Sequence, residues 1–169
     1  MALAFSTGLA VAACGTDTDH SDKAASSDSG ACVRKQDVQP IATRFPVFGE
    51  IARSEWCAVN LSAGRSDVPG PTDIRLAGEL TAADSGRVHA LLGDSRWHFR
   101  AASLPSLPAK IAQELPEGED NWMASEEFDR SVSAGLYAAN FYLSETSSAV
   151  VFDTVNPVSP TNSAPAVVE

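Results

Sequence analysis

This sequence predicts an α+β fold: an antiparallel sheet with short helices packed mainly on one face, ending in a β-hairpin. Three observations carry that expectation. Ile74, Leu76, Gly78 and Leu80 alternate with Arg75, Ala77 and Glu79, the period-two pattern of a strand with one buried face. Val88, Leu91 and Leu92 follow at helical spacing, so a strand passes into a helix through one tight turn. Finally, Leu136–Leu143 and Ala149–Asp153 are β-rich runs joined only by S-E-T-S-S, a connection that suits a hairpin.

The composition fits one globular core. Hydrophobic residues make up 44% of the chain and charged ones 20%, ordinary values for a packed domain. A net charge of -10 opposes binding to a phosphate backbone, so nucleic acid is not an expected partner. No cofactor-binding motif is present, and no cofactor is expected.

At the N-terminus, Leu9–Cys14 reads L-A-V-A-A-C and is followed by Gly15. A short apolar run that closes in small residues before a cysteine resembles the lipobox of bacterial lipoproteins. The resemblance implies a signal peptide over residues 1–13, cleavage before Cys14, a lipid on the Cys14 thiol and attachment to the extracytoplasmic face of the cell membrane. The run from Ala2 to Ala13 is too short to span a bilayer, which fits an export signal. No Lys or Arg precedes Cys14, so the basic start of such a signal is expected upstream of Met1.

Residues 14–31 then read as a disordered tether. Asp17, Asp19, Asp22 and Asp28 stand against Lys23 alone, and the segment cannot bury enough apolar surface to offset its ordering entropy. His20 within it reads as a solvated side chain. With Cys14 assigned to lipid, Cys32 and Cys57 remain as an even pair in an exported chain and are expected to form a disulfide.

The domain is expected over residues 32–153. Glu55–Asn60 reads as a strand, and Gly64, Pro69, Gly70 and Pro71 mark residues 62–72 as a loop. After the alternating strand, Thr81 with Asp84 three residues on reads as the start of the helix that Gly93 ends. Arg96–Arg100 alternates again, with Trp97 and Phe99 on one side, and reads as a further strand. Pro108 suits the first turn of a short helix carrying Ile111 and Leu115, which Pro116 stops. Ser125 is placed to cap a helix opened by Glu126 and Glu127, with Phe128 and Val132 on its apolar face and Gly135 at its end. In the hairpin, Tyr137, Ala139, Phe141 and Leu143 share a face. Residues 154–169, with Pro157, Pro160 and Pro165, read as a Pro-rich tail.

Several local patterns look like those of small uncharacterised lipoproteins of actinobacteria. They are W-C at Trp56 and Cys57, V-P-G-P-T-D from Val68 to Asp73, W-x-x-S-x-x-F at Trp122, Ser125 and Phe128, and F-D-x-V-N-P from Phe152 to Pro157. This resemblance implies a location and no activity.

Candidate chemistry is sparse. Ser85, Ser125, His89 and His98 are the residues a hydrolase could use, but no G-x-S-x-G surrounds either serine. Ser125 is explained as a helix cap, His89 as a residue on a polar helix face and His98 as an exposed strand residue. No catalytic residue is assigned. Glu117–Asn121 is acidic but lacks the spacing and central glycine of an EF-hand, so no metal site is expected. The expectation is a binding or interaction module anchored to the membrane, whose protein or small-molecule partner would meet whichever of Trp122, Tyr137 and Tyr142 are exposed, most of them being expected to fill the core. The alternative is a small secreted hydrolase, which a pocket gathering His98 with a serine and a carboxylate would favour.

Overall fold

A computed structural model of the chain describes residues 32–61, 73–115 and 121–158. The expected signal, the lipid site at Cys14, the tether, the loop at 62–72, most of the acidic loop at 117–121 and the end of the tail lie outside the described residues. Six strands form one antiparallel sheet: β1 (Ile51–Asn60), β2 (Ile74–Ala82), β3 (Arg100–Ala101), β4 (Trp122–Ala124), β5 (Ala138–Ser144) and β6 (Ala149–Val155). Their order is β1-β2-β6-β5-β4-β3, so the C-terminal hairpin of β5 and β6 fills the middle of the sheet.

The helices α1 (Gln39–Arg44), α2 (Ser85–Gly93) and α4 (Glu126–Ser133) contribute Ile41, Val88 and Phe128 to the main core. Its floor is a register row running Trp56, Gly78, Phe152 and Phe141 across four strands. A Cβ at Gly78 would sit 2.4 Å from the Glu55 carbonyl oxygen and 2.6 Å from the Trp56 Cβ, so only glycine allows β1 and β2 to meet beneath the tryptophan. Phe45, at the C-cap of α1, and Phe48, on the 3-10 turn that follows it (Pro46–Phe48), close this core with rings 5.1 to 5.9 Å from those of Phe141, Phe152 and Phe128.

The opposite face is covered over part of its width by residues 102–115, including the single-turn helix α3 (Ala109–Ala112). Ile111 packs with Cys57 and Val59, and Leu104 and Leu107 pack over Trp122 and Val151. Arg75 faces this side, as alternation requires. It is half-buried, its Nε 2.8 Å and its Nη2 3.0 Å from the two Asp153 carboxylate oxygens, and Nη2 also donates to the Ser106 carbonyl at 2.6 Å. The strand thus anchors the covering segment instead of presenting this arginine to water.

Local chemistry accounts for the element ends. Ser125 caps α4 as expected, its Oγ accepting from the Phe128 amide at 3.1 Å, and Ala134 and Gly135 adopt positive φ at the other end. α2 is capped by Asp84, which accepts from the Gly86 amide at 2.9 Å, while Thr81 remains in β2; the expected Thr81 cap is thereby corrected. The strand expected over Arg96–Arg100 is also corrected. Asp94 accepts from the Arg96 amide and starts a 3-10 turn at Ser95–Trp97, His98 takes the left-handed conformation at φ 51°, and only Arg100 and Ala101 pair as a strand. β6 runs on through Thr154 and Val155, two residues into the stretch expected as tail. Among the described residues no helix is long and apolar enough to cross a membrane.

Cys32 and Cys57 are bridged, with Cα atoms 5.5 Å apart. The bridge pins residues 32–37 along the outer edge of β1, where Lys35 and Trp56 exchange backbone hydrogen bonds of 2.8 and 3.0 Å.

Candidate functional site: a cleft between β5 and α4

The cleft exists because β4 is short. It pairs with β5 only from Tyr142 to Ser144, which leaves the outer edge of β5 from Ala138 to Phe141 without a strand partner. α4 comes against that edge, and Asp129 Oδ1 accepts the Phe141 amide hydrogen at 3.0 Å, taking over a ladder bond that β4 does not reach. The Phe141 amide therefore points away from β6, and by alternation the backbone groups of Ala139 point to the same open side.

Arg100, Ala124 and Tyr142 lie side by side in register across β3, β4 and β5. With Asn140 further along β5, they meet the first turn of α4 in a cavity of about 350 Å³ that His98, Ser125, Glu126, Glu127 and Asp129 complete. A second cavity, of about 380 Å³, shares Glu126, Asp129 and Asn140 and continues to Arg130, Ser133 and Tyr137. Together they make one seam along the open edge of β5.

Two carboxylates of this seam are pushed in opposite directions. Burial pushes the Asp129 carboxyl up to about 7, outweighing the Phe141 amide, and the nearby Glu126 charge adds to the rise. The Glu127 carboxyl is held below its usual range by a hydrogen bond from its own backbone amide, with help from the Ser125 hydroxyl, His98 and Arg130. Tyr137 and Tyr142 are raised by burial, Tyr142 also by the Asp129 and Asp153 charges, so both phenols stay neutral donors.

The seam also holds cations that the fold does not use. Arg34, Arg53, Arg75 and Arg96 each pair with a carboxylate, and Arg44 and Arg87 donate to backbone carbonyls. Among the described residues, Arg100 and Arg130 are the arginines whose guanidinium makes no hydrogen bond or ion pair, and both border the seam. Glu126, Glu127 and Asp129 likewise form no salt bridge among the described residues.

Of the expected contact residues, Tyr137 and Tyr142 line this seam and are half-buried. Trp122 does not offer a surface: it is 4% exposed and packs with Ala149 and Val151 on the second face. His98 and Ser125 come to one cleft with carboxylates, the gathering that would favour a hydrolase. Ser125, however, is buried, its hydroxyl proton shared between the Trp97 carbonyl and the Glu127 carboxylate while its oxygen accepts from the Phe128 amide. A serine held in that way is a structural cap, not an activated nucleophile. Ser85 and His89 lie exposed on α2, outside the seam. Arg100, Asp129 and Asn140 were not singled out by sequence patterns, because each takes its role from the register of β3, β4 and β5. Comparison with known protein families, characterised proteins and solved structures returns no match.

A carboxyl raised in the folded state contributes stability that is present below its unfolded pKa, near 4, and lost as pH rises toward about 7. Asp129→Asn keeps an oxygen for the Phe141 amide and removes the ionisation. It is expected to match the wild type at pH 4 and to be more stable by about 2 kcal/mol at pH 8, after allowing for solvent screening at a partly exposed group. Urea unfolding at the two pH values measures the difference, and equal gains at both would show that titration is not the cause.

Proposed function

We propose that this chain is a lipid-anchored, extracytoplasmic binding module that holds a small polar ligand in the seam between β5 and α4. The observation that carries the binding site is a cleft lined by charged groups of both signs that form no salt bridge with one another among the described residues. Anchoring rests on the lipobox resemblance at Cys14, and the Cys32–Cys57 bridge fits an oxidising compartment. Two measurements test the two halves. Intact mass of membrane-extracted protein is expected to show diacylglycerol and an acyl chain such as palmitate on Cys14, and unchanged membrane association of Cys14→Ser would refute the anchor. Amide shifts of the full-length Cys14→Ser chain, recorded against a library of small polar fragments, are expected to cluster at Arg100, Asp129, Asn140 and Tyr142. Shifts confined to other surfaces would remove the cleft from consideration.

The second reading is hydrolysis of the bound ligand, favoured by a near-neutral carboxyl in the same cleft as His98. It predicts turnover with a pH profile that bends near 7 and is lost in Asp129→Asn. A bound ligand that stays intact excludes it.

A further inference from the structure

We infer that the ligand of this seam is a short peptide of two or three residues with free ends, its carboxylate held by Arg100 and its ammonium by Glu126 and Asp129. The inference rests on the cleft being a ligand site, as proposed above, and it adds the chemistry of the occupant. The first ground is charge. A guanidinium with no partner among the described residues and carboxylates that form no salt bridge border one cavity. Asp129 commits only Oδ1 to the Phe141 amide, and its second oxygen has no hydrogen-bond partner among the described residues. An anion alone would meet the carboxylates, and a cation alone would meet Arg100. A ligand carrying both charges satisfies both.

The second ground is spacing. Arg100 on β3 and Tyr142 on β5 flank Ala124, so two strand spacings, about 9.5 Å, separate the strand that carries the cation from the one against which Asp129 lies. Two to three extended residues span about 7 to 10 Å, the same scale as that separation. The third ground is backbone chemistry. The open edge of β5 beside the carboxylates presents the Ala139 amide and carbonyl, the groups that pair with an extended peptide in strand addition.

Isothermal titration of the full-length chain with L-alanyl-L-alanine tests the assignment. Blocking either end, by N-acetylation or C-amidation, is expected to weaken binding about tenfold or more, the usual effect of removing one charged hydrogen-bond partner. Arg100→Ala should weaken the free dipeptide by a similar factor yet leave the C-amidated form unchanged, and Glu126→Gln should do the same for the N-acetylated form. Because the blocked peptides are compared on the unaltered protein, a variant that folds poorly cannot imitate this pattern. Equal affinity for free and doubly blocked dipeptide, or for alanine alone, overturns the peptide assignment. If fragments still shift the cleft amides in that case, the binding site stands with another ligand; if nothing shifts them, both proposals fall.

Discussion

Phe128→Ala is expected to lower the stability of the domain by about 3 to 5 kcal/mol, the usual cost of deleting a fully buried aromatic ring. Phe128 is wholly buried and its ring lies between four others: Phe48 at 5.9 Å, Trp97 at 5.5 Å, Phe99 at 5.3 Å and Phe141 at 5.9 Å. These come from three different segments, so no single side chain can swing in to fill the space, and the cavity term adds to the lost transfer energy. The consequence reaches the cleft, since Phe128 neighbours Asp129 on α4 and Phe141 is the residue whose amide Asp129 holds. Urea unfolding of the full-length chain should show a lower midpoint with an unchanged slope. Leu136→Ala, at a side chain 62% exposed, is the matched control and should change stability by no more than about 0.5 kcal/mol. A Phe128→Ala loss as small as that would mean that the aromatic cluster is loosely packed.

The elements that sequence patterns located are those whose signals are local and agree. β2 alternates over seven residues and has one face in the main core, and Ser125 is followed by acids and a Phe–Val stripe, which leaves one consistent helix start. At Trp97 and Phe99 the pattern was right about the side and wrong about the backbone. Both rings meet Phe128, but His98 turns through the left-handed region to put them there, and a period-two pattern over five residues cannot separate that turn from a strand. β4 has three residues and exists through pairing with β5, so no periodicity could announce it. The candidate site is less legible for the same reason. Asp129 reads as one of three acids favouring the positive end of a helix. Its near-neutral titration comes from burial against the stretch of β5 edge that β4, whose pairing ends opposite Tyr142, leaves to α4. Tyr137 and Tyr142 were visible as aromatic residues, whereas the guanidiniums stand out only when every other arginine of the described residues is seen to be engaged.

Replacing both Cys32 and Cys57 by serine is expected to cost about 3.5 kcal/mol, the chain-entropy value for a loop closed across 25 residues. The geometry supports a structural bond: the Cα separation of 5.5 Å lies at the centre of the range for native bridges, and Cys57 is fully buried beside Val59 and Ile111. The bridge also protects an edge. β1 is the outer strand of the sheet, and the segment tied down by Cys32 supplies its cover: Lys35 pairs with the Trp56 backbone, and the Asp37 carbonyl accepts from the Trp56 indole at 2.9 Å and the Ser54 hydroxyl at 3.2 Å. Releasing the segment should therefore speed hydrogen exchange of the Lys35 and Trp56 amides before it affects the β2–β6 ladder, and should raise the tendency of the exposed edge to self-associate. Non-reducing peptide mapping of protein kept under oxidising conditions, followed by urea unfolding with and without reductant, decides the matter. Two free thiols in protein kept under oxidising conditions, or a loss below about 1 kcal/mol on reduction with unchanged exchange at Trp56, would mean that β1 is held by its packing alone and that the bridge is incidental.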